Sequence, residues 1–147
     1  MPSQDIRVSA TTPASPETVY ALLRDGASWP EWSPLGSFEL ERPAGNEPEG
    51  VGAIRIFRTG RVTSREQIVA LVPKRRFSYV LLSGLAIRNY RADVDLEPAV
   101  GGTRIQWHSS FDPKVPGTGW LYRHQLRRFI KRLVDGLARR AQEHTSP

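Results

Sequence analysis

Apolar and polar residues alternate along most of the first three quarters of the chain, which is the pattern of half-buried β-strands. Near the start, Ile6, Val8 and Ala10 alternate with polar neighbours. The same alternation, broken by Gly, Pro and Ser turns, predicts six further strands, at residues 36–42, 51–59, 62–72, 76–83, 86–97 and 103–111. Because short turns join successive strands, the sheet is predicted to be an antiparallel meander.

Helical patterns occur after the first strand and at the end of the chain. Ser15 is a good N-cap for a first short helix, and Trp29–Trp32 is predicted to be a second short helical turn or loop. A long helix is predicted over about residues 118–142. One side of it carries an apolar stripe, formed by Tyr122, Leu126, Ile130, Leu133, Leu137 and Ala141. Arg123 falls within that stripe.

Composition and charge narrow the possible classes of protein. The chain has 147 residues, which fits a single domain over 1–147, and it has no cysteine, which excludes disulfides and thiolate metal sites. Of the net charge of +6, residues 120–142 supply all six, with seven basic residues and one acid. No signal-peptide pattern and no long apolar run are present, so we expect a cytoplasmic protein.

Several segments, in this order and spacing, resemble the START/polyketide-cyclase (SRPBCC) superfamily, in its polyketide cyclase/dehydrase-like branch. They are Ala14–Leu23, Trp29–Trp32, Gly50–Gly52, Glu66–Ile68, Pro73–Tyr79 and Gly101–Trp107. The resemblance implies an α+β helix-grip fold, in which a curved antiparallel sheet of six to seven strands wraps around the C-terminal helix, with two short helices after the first strand. It also implies a cavity between sheet and helix for a lipid, polyketide, quinone or hormone.

Aromatic and polar residues on the predicted strands and helices are candidates for lining such a cavity. Rings with a polar atom suit an apolar ligand that carries a few oxygens. The candidate ligand-binding residues are Trp29, Trp32, Phe57, Glu66, Tyr79, Tyr90, Trp107, Phe111, Arg123, Leu126 and Ile130.

Each polar candidate also has an ordinary structural explanation. Glu66 shares a strand face with Ile68, Ala70 and Val72, and it is either an acid or base in the cavity or a surface partner of a neighbouring arginine, Arg55 or Arg91. Tyr79 and Tyr90 either donate hydrogen bonds to a ligand carbonyl or simply pack. Arg123 either pairs with a ligand at the cavity mouth or extends into solvent. Trp29 and Trp32 either form the mouth or anchor their loop.

Three functions remain open from the sequence. The first is binding of a hydrophobic small molecule: a lipid, an aromatic polyketide-like compound or a quinone. The second is a cyclase/dehydrase-type enzyme, for which Glu66, Tyr79 and Tyr90 are the catalytic candidates. The third is an accessory factor that contacts an anionic membrane weakly through the basic helix; nucleic acid is a less favoured partner. We expect no metal and no cofactor, and either a monomer or a homodimer.

Overall fold

A computed structural model describes residues 3–145. The chain begins with β1 (Gln4–Thr12), α1 (Pro16–Arg24), a 3-10 turn (Gly26–Ser28) and α2 (Trp29–Trp32). The remaining elements are β2 (Ser37–Arg42), β3 (Ile54–Thr59), β4 (Val62–Val72), β5 (Arg76–Ser83), β6 (Ile87–Ala99), β7 (Gly102–Pro113) and α3 (Gly119–Thr145).

The seven strands form one antiparallel sheet in the order β1-β7-β6-β5-β4-β3-β2. Strands β2 to β7 follow one another as a meander, and β1 pairs with β7, with Val8 opposite Trp107. The long helix α3 packs against one face of this sheet. The predicted helix-grip fold is therefore confirmed, including the two short helices after the first strand.

Apolar side chains on one face of α3 hold the helix against the sheet. Ile130, Leu133, Val134 and Leu137 are buried, whereas the basic residues of the opposite face are exposed. This division follows the stripe expected from the sequence, because a helix of this length must cover its apolar side. No helix among the described residues has the length and apolar character needed to cross a membrane.

Strand β3 begins three residues later than predicted. The sequence predicted a strand from residue 51, but residues 50–53 form a turn in which the Ala53 N–H donates to the Gly50 carbonyl at 3.1 Å. Gly52 has φ +101°, which favours glycine and breaks the extended conformation. Strand β3 therefore starts at Ile54 and pairs with Gln67 of β4.

Strand β4 does not keep a constant face, which corrects a second expectation. Glu66, Ile68, Ala70 and Val72 were predicted to share one side. A β-bulge between Ile68 and Ala70 shifts the register by one residue, so Val72 is exposed and Leu71 packs against the core instead. A bulge reverses the side-chain alternation beyond it, which strict alternation along a sequence does not predict.

Candidate functional site

A cavity of about 220 Å³ lies between the β3–β6 half of the sheet and the first half of α3. Its walls are mostly apolar. The residues around it are Trp29, Leu35, Thr59, Val62, Ser64, Glu66, Tyr79, Leu81, Leu85, Tyr90, Leu126, Phe129 and Leu133. An apolar cavity with a few polar groups is the usual form of a small-molecule site.

The cavity opens near the turns that join β3 to β4 and β5 to β6. Val62 lines the cavity and is also exposed to solvent, so it marks the mouth. Leu35 and Leu85 are half-buried beside it, and Leu126 and Phe129 form the α3 side. The entrance is therefore apolar on both its sheet side and its helix side.

Glu66 is the acidic group of the cavity wall. It lies on β4 opposite Arg55 on one side and Leu81 on the other, next to a second β-bulge between Arg65 and Glu66. Burial raises the pKa of the Glu66 carboxyl from its usual value near 4.5 to about 8, and the positive charge of Arg55 opposes that rise. At neutral pH this carboxyl is therefore largely protonated and can donate a hydrogen bond.

Tyr79 and Tyr90 lie beside Glu66 on the adjacent strands β5 and β6. Their ring centroids are 6.1 Å apart, and the Tyr90 hydroxyl lies 2.9 Å from Ser109 Oγ. Burial raises the pKa of Tyr90 to about 12, although its hydrogen bonds to Ser109 and Tyr79 act in the opposite direction. Burial also raises the pKa of Tyr79, and the nearby Tyr90 and Glu66 add to the rise. Both phenols are therefore neutral hydrogen-bond donors at physiological pH.

A third bulge lies close to Tyr90. The register between β6 and β7 shifts between Arg88 and Arg91, and Asn89 adopts φ +54° within that interval. Tyr90 is buried, while its chain neighbours Asn89 and Arg91 are exposed. Glu66, Tyr79 and Tyr90 thus lie on three neighbouring strands whose pairing is irregular close to the cavity.

Arg55 is buried close to the cavity but belongs to a separate ion pair. Its Nη2 lies 2.8 Å from Glu49 Oε1, and its guanidinium donates to the carbonyls of Leu23 and Arg24 at the end of α1. Arg91, the other proposed partner of Glu66, pairs with Asp93 at 3.2 Å. Among residues 3–145, neither arginine forms a salt bridge with Glu66.

Trp29 connects the cavity to the core. Its indole N–H donates to the Leu23 carbonyl at 3.1 Å, and its ring lies 5.0 Å from that of Trp32 and 5.2 Å from that of Phe57. Trp29 lines the cavity, whereas Trp32 donates to Ser28 Oγ and packs in the core. Of the two expected mouth residues, Trp29 reaches the cavity wall and Trp32 acts as an anchor.

Ten of the eleven candidate residues fall into two groups in the structure. Five candidates line the cavity, namely Trp29, Glu66, Tyr79, Tyr90 and Leu126. Five others are core residues outside its wall, namely Trp32, Phe57, Trp107, Phe111 and Ile130. Strands and helices contribute to both groups, because the cavity occupies only part of the space between sheet and helix.

Arg123 is not part of the cavity wall, and the ligand contact predicted for it at the mouth stays a prediction. Its side chain is exposed, and its Nε donates to the Asp5 carbonyl of β1 at 2.9 Å. The physical reason is the position of α3, whose Arg123 side faces β1 while its Leu126 side faces the cavity. A long charged side chain at this position reaches the outer edge of the sheet.

Eight lining residues were not among the candidates: Leu35, Thr59, Val62, Ser64, Leu81, Leu85, Phe129 and Leu133. Three of them could have been found from the sequence. Val62 and Ser64 alternate on the same strand face as Glu66, and Leu81 lies on the same face as Tyr79. Leu35 and Leu85 come from loops, whose positions depend on the tertiary fold. Within residues 3–145, no three His, Asp or Glu side chains cluster as metal ligands would.

The fold and the cavity together define the class, a helix-grip protein with a mostly apolar cavity between sheet and helix. Residues 3–142 match the family described as polyketide cyclase/dehydrase and lipid transport, and the chain belongs to that family, within the START/polyketide-cyclase superfamily. A search of curated proteins found no significant match.

Solved structures share this fold at low sequence identity. A START superfamily protein from Mycobacterium smegmatis is 14% identical, with a TM-score of 0.81 over 95% of this chain and 98% of that one. Ara h 8.0201 is 18% identical, with a TM-score of 0.77 over 97% and 99% of the two chains. The protein TTHA0849 from Thermus thermophilus is 19% identical, with a TM-score of 0.73 over 97% and 100%.

Proposed function

We propose that this protein binds a hydrophobic small molecule that carries at least one carbonyl or hydroxyl oxygen. The observation that carries the proposal is the grouping of Glu66, Tyr79 and Tyr90 in a wall that is otherwise mostly apolar. Buried hydroxyl and carboxyl groups lose hydrogen bonds to water and gain from a polar atom of the ligand. Family membership supports the same general function.

The size of the cavity favours a compact ligand. Its volume of about 220 Å³ is smaller than that of most ligand pockets, which commonly span about 300–1,000 Å³. A ring system such as an aromatic polyketide-like compound or a quinone fits this space better than a complete long-chain lipid does. The protonated Glu66 and the two phenols would then donate hydrogen bonds to the ligand oxygen.

A matched pair of ligands tests whether the polar groups recognise oxygen. We expect 2-acetylnaphthalene to bind more tightly than 2-ethylnaphthalene, which has nearly the same shape but no carbonyl. One hydrogen bond contributes about 0.5–1.5 kcal/mol, so the ratio of dissociation constants should be about twofold to twelvefold. Isothermal titration calorimetry measures both constants directly.

The variants Tyr79→Phe and Tyr90→Phe should reduce that preference for the carbonyl compound. Tyr20→Phe is the matched control, because Tyr20 is also buried but lies on α1, outside the cavity wall. Failure of the wild-type protein to bind either compound would argue against a site for small aromatic molecules. Equal affinities for the pair would reject recognition of oxygen.

A second candidate function is acid–base catalysis of the cyclase/dehydrase kind, and the raised pKa of Glu66 favours it. A pKa of about 8 lies close to neutral pH, where a carboxyl group can both accept and return a proton. In an aldol-type cyclisation, Glu66 would take a proton from a carbon between two carbonyls while Tyr79 and Tyr90 stabilise the enolate oxygen. The enolate carbon would form a bond to a second carbonyl carbon, and the carboxyl would return the proton to the alkoxide that results. To release water, the same group would then take the second proton of that carbon and deliver it to the departing hydroxyl.

Proton exchange at carbon separates catalysis from binding. The substrate is a naphthyl-substituted 1,3-diketone in D₂O, and NMR follows exchange at the carbon between its carbonyls. An enzyme should accelerate this exchange above the buffer rate, and Glu66→Gln should remove the acceleration while the diketone still binds. If the wild-type protein binds the diketone and exchange stays at the buffer rate, the binding function stands and the catalytic one fails.

A further inference from the structure

Three segments meet at the end of the molecule where the cavity opens. They are residues 60–64, which include the β3–β4 turn, residues 82–88, which include the β5–β6 turn, and residues 114–129, which lead into α3. The strand register brings them together, because Arg65 is opposite Ser83 and Ile87 is opposite Pro113. Gly84 also packs against the backbone of Thr63. We call these three segments the mouth end.

The mouth end exposes large apolar side chains. Trp120 is 70% exposed, Val115 is 52%, Val62 is 42% and Leu121 is 40%. The other three tryptophans of the chain are buried, so the exposure of Trp120 is unusual within this protein. Moving so exposed a tryptophan side chain out of water costs little free energy. Tryptophan is also enriched at membrane interfaces.

The same surface is strongly cationic. Its three segments contain six basic residues, Arg61, Arg88, Lys114, Arg123, Arg127 and Arg128, and no Asp or Glu. In the described part of the chain, none of these six forms a salt bridge; Arg123 and Arg127 donate to backbone carbonyls of β1. The nearby acids have other partners, since Asp5 contacts His108 and Asp112 accepts from Asn89.

We propose that the mouth end docks on the surface of an anionic lipid bilayer, with Trp120, Leu121 and Val115 inserted among the headgroups. Basic side chains contribute about 1 kcal/mol each near an anionic leaflet, which is about a fivefold change in affinity per charge. Interfacial tryptophan adds an apolar contribution. Docked in this way, the apolar mouth at Val62 and Leu85 faces the bilayer.

The chemistry of this surface disfavours two other occupants. A second copy in a symmetric contact would bring six positive charges against the same six charges. A nucleic acid would pair with the cations but would leave Val115 and Leu121 without an apolar partner. An anionic bilayer satisfies both the charge and the exposed apolar side chains.

Vesicle binding tests the proposal on the full chain. The probes are phosphatidylcholine vesicles with and without phosphatidylglycerol, at low and high salt, analysed by co-sedimentation and tryptophan emission. We expect binding only to the anionic vesicles, weakened by salt, with a blue shift of the emission. Trp120→Ala should abolish the blue shift, and Arg128→Glu should weaken binding by at least about fivefold.

Controls at the opposite end of the sheet match these changes. Arg75→Glu, in the β4–β5 turn, matches the charge change, and Val100→Asp, in the β6–β7 turn, alters an exposed apolar residue. Both should bind vesicles like the wild-type protein. The proposal fails if the wild-type protein does not bind anionic vesicles. It also fails if the control variants weaken binding as much as the mouth-end variants do.

Two further outcomes would also overturn the proposal. One is tight, salt-dependent binding of a short DNA duplex together with no binding of vesicles. The other is a dimer that dissociates in Trp120→Ala while vesicles stay unbound. The result is independent of the ligand experiments, because Glu66→Gln lies inside the cavity and should leave vesicle binding unchanged.

Discussion

At the scale of single residues, Glu66 gives the protein a specific pH dependence. Its pKa is about 8 in the folded protein and near 4.5 when exposed, so between these values the folded state holds a proton that the unfolded state has lost. The free energy of unfolding should therefore fall as pH rises through this window, with a contribution of about 1.4 kcal/mol per pH unit. Above about pH 8 the contribution should level off.

Glu66→Gln should remove this contribution, because glutamine does not titrate. Urea unfolding of both proteins across the window measures the difference. Glu97→Gln serves as the control, since Glu97 is exposed on β6, and it should keep the slope of the wild-type protein. Parallel pH profiles for wild type and Glu66→Gln would mean that the carboxyl of Glu66 is not buried as described.

A second residue-scale prediction concerns the hydrogen bond between Tyr90 and Ser109. Tyr90→Phe leaves the buried Ser109 hydroxyl without this partner, which should cost about 1–3 kcal/mol of stability. Tyr20→Phe removes a buried hydroxyl that has no hydrogen-bond partner within residues 3–145, so it should be neutral or stabilising. Denaturant unfolding distinguishes the two, and equal effects would contradict the assigned bond.

The sequence predicted the types of residue at the site better than their arrangement. Tyr79 and Glu66 lie within strands that the sequence predicted, so both could be proposed in advance as residues beside a cavity. The contacts of Arg55 with Glu49 and with the end of α1 could not be predicted, because they join segments that are distant in sequence. Such contacts depend on packing in three dimensions.

At the scale of secondary structure, Gly136 sets the approach of α3 to α2. A β-carbon at this position would collide with the Trp32 carbonyl oxygen, which is backbone and cannot rotate away. Gly136→Ala should therefore destabilise the protein by about 1–3 kcal/mol, even though alanine is the better helix former by about 1 kcal/mol. Thermal or urea unfolding provides the measurement.

The control for this helix is Gln142→Ala, an exposed position of α3. Its effect should stay within about 0.5 kcal/mol. If Gly136→Ala stabilised the protein, the helix would not approach Trp32 this closely. Helix propensity alone would then decide the sign of the change in stability.

The ends of most elements followed from local sequence signals, whereas irregularities within strands did not. Ser15 caps α1 as expected, with its Oγ accepting from the Thr18 N–H, and β4 and β5 have the predicted bounds. The bulges near Glu66, Ile68 and Asn89 had no unambiguous pattern. Each bulge adds an unpaired residue to one strand and bends that strand locally.

At the scale of the whole molecule, the order of elements was enough to predict the fold. The apolar stripe of the long helix had to be buried against another element, and the predicted antiparallel sheet was the available partner. The position of the basic residues on the exposed face of α3 was predicted correctly, because the apolar side of that helix had to be buried. The identity of the ligand was out of reach, since bulges and loop residues such as Leu35 and Leu85 shape the cavity.

Native mass spectrometry of the protein purified from its host shows directly whether the cavity holds a small hydrophobic molecule. We compare the wild-type protein with Ser64→Phe, which fills the cavity from β4, and with Ser9→Phe, on the exposed side of β1. We expect a bound small-molecule mass in the wild-type protein and in Ser9→Phe, and its loss in Ser64→Phe. A ligand that persists in a folded Ser64→Phe protein would contradict this expectation.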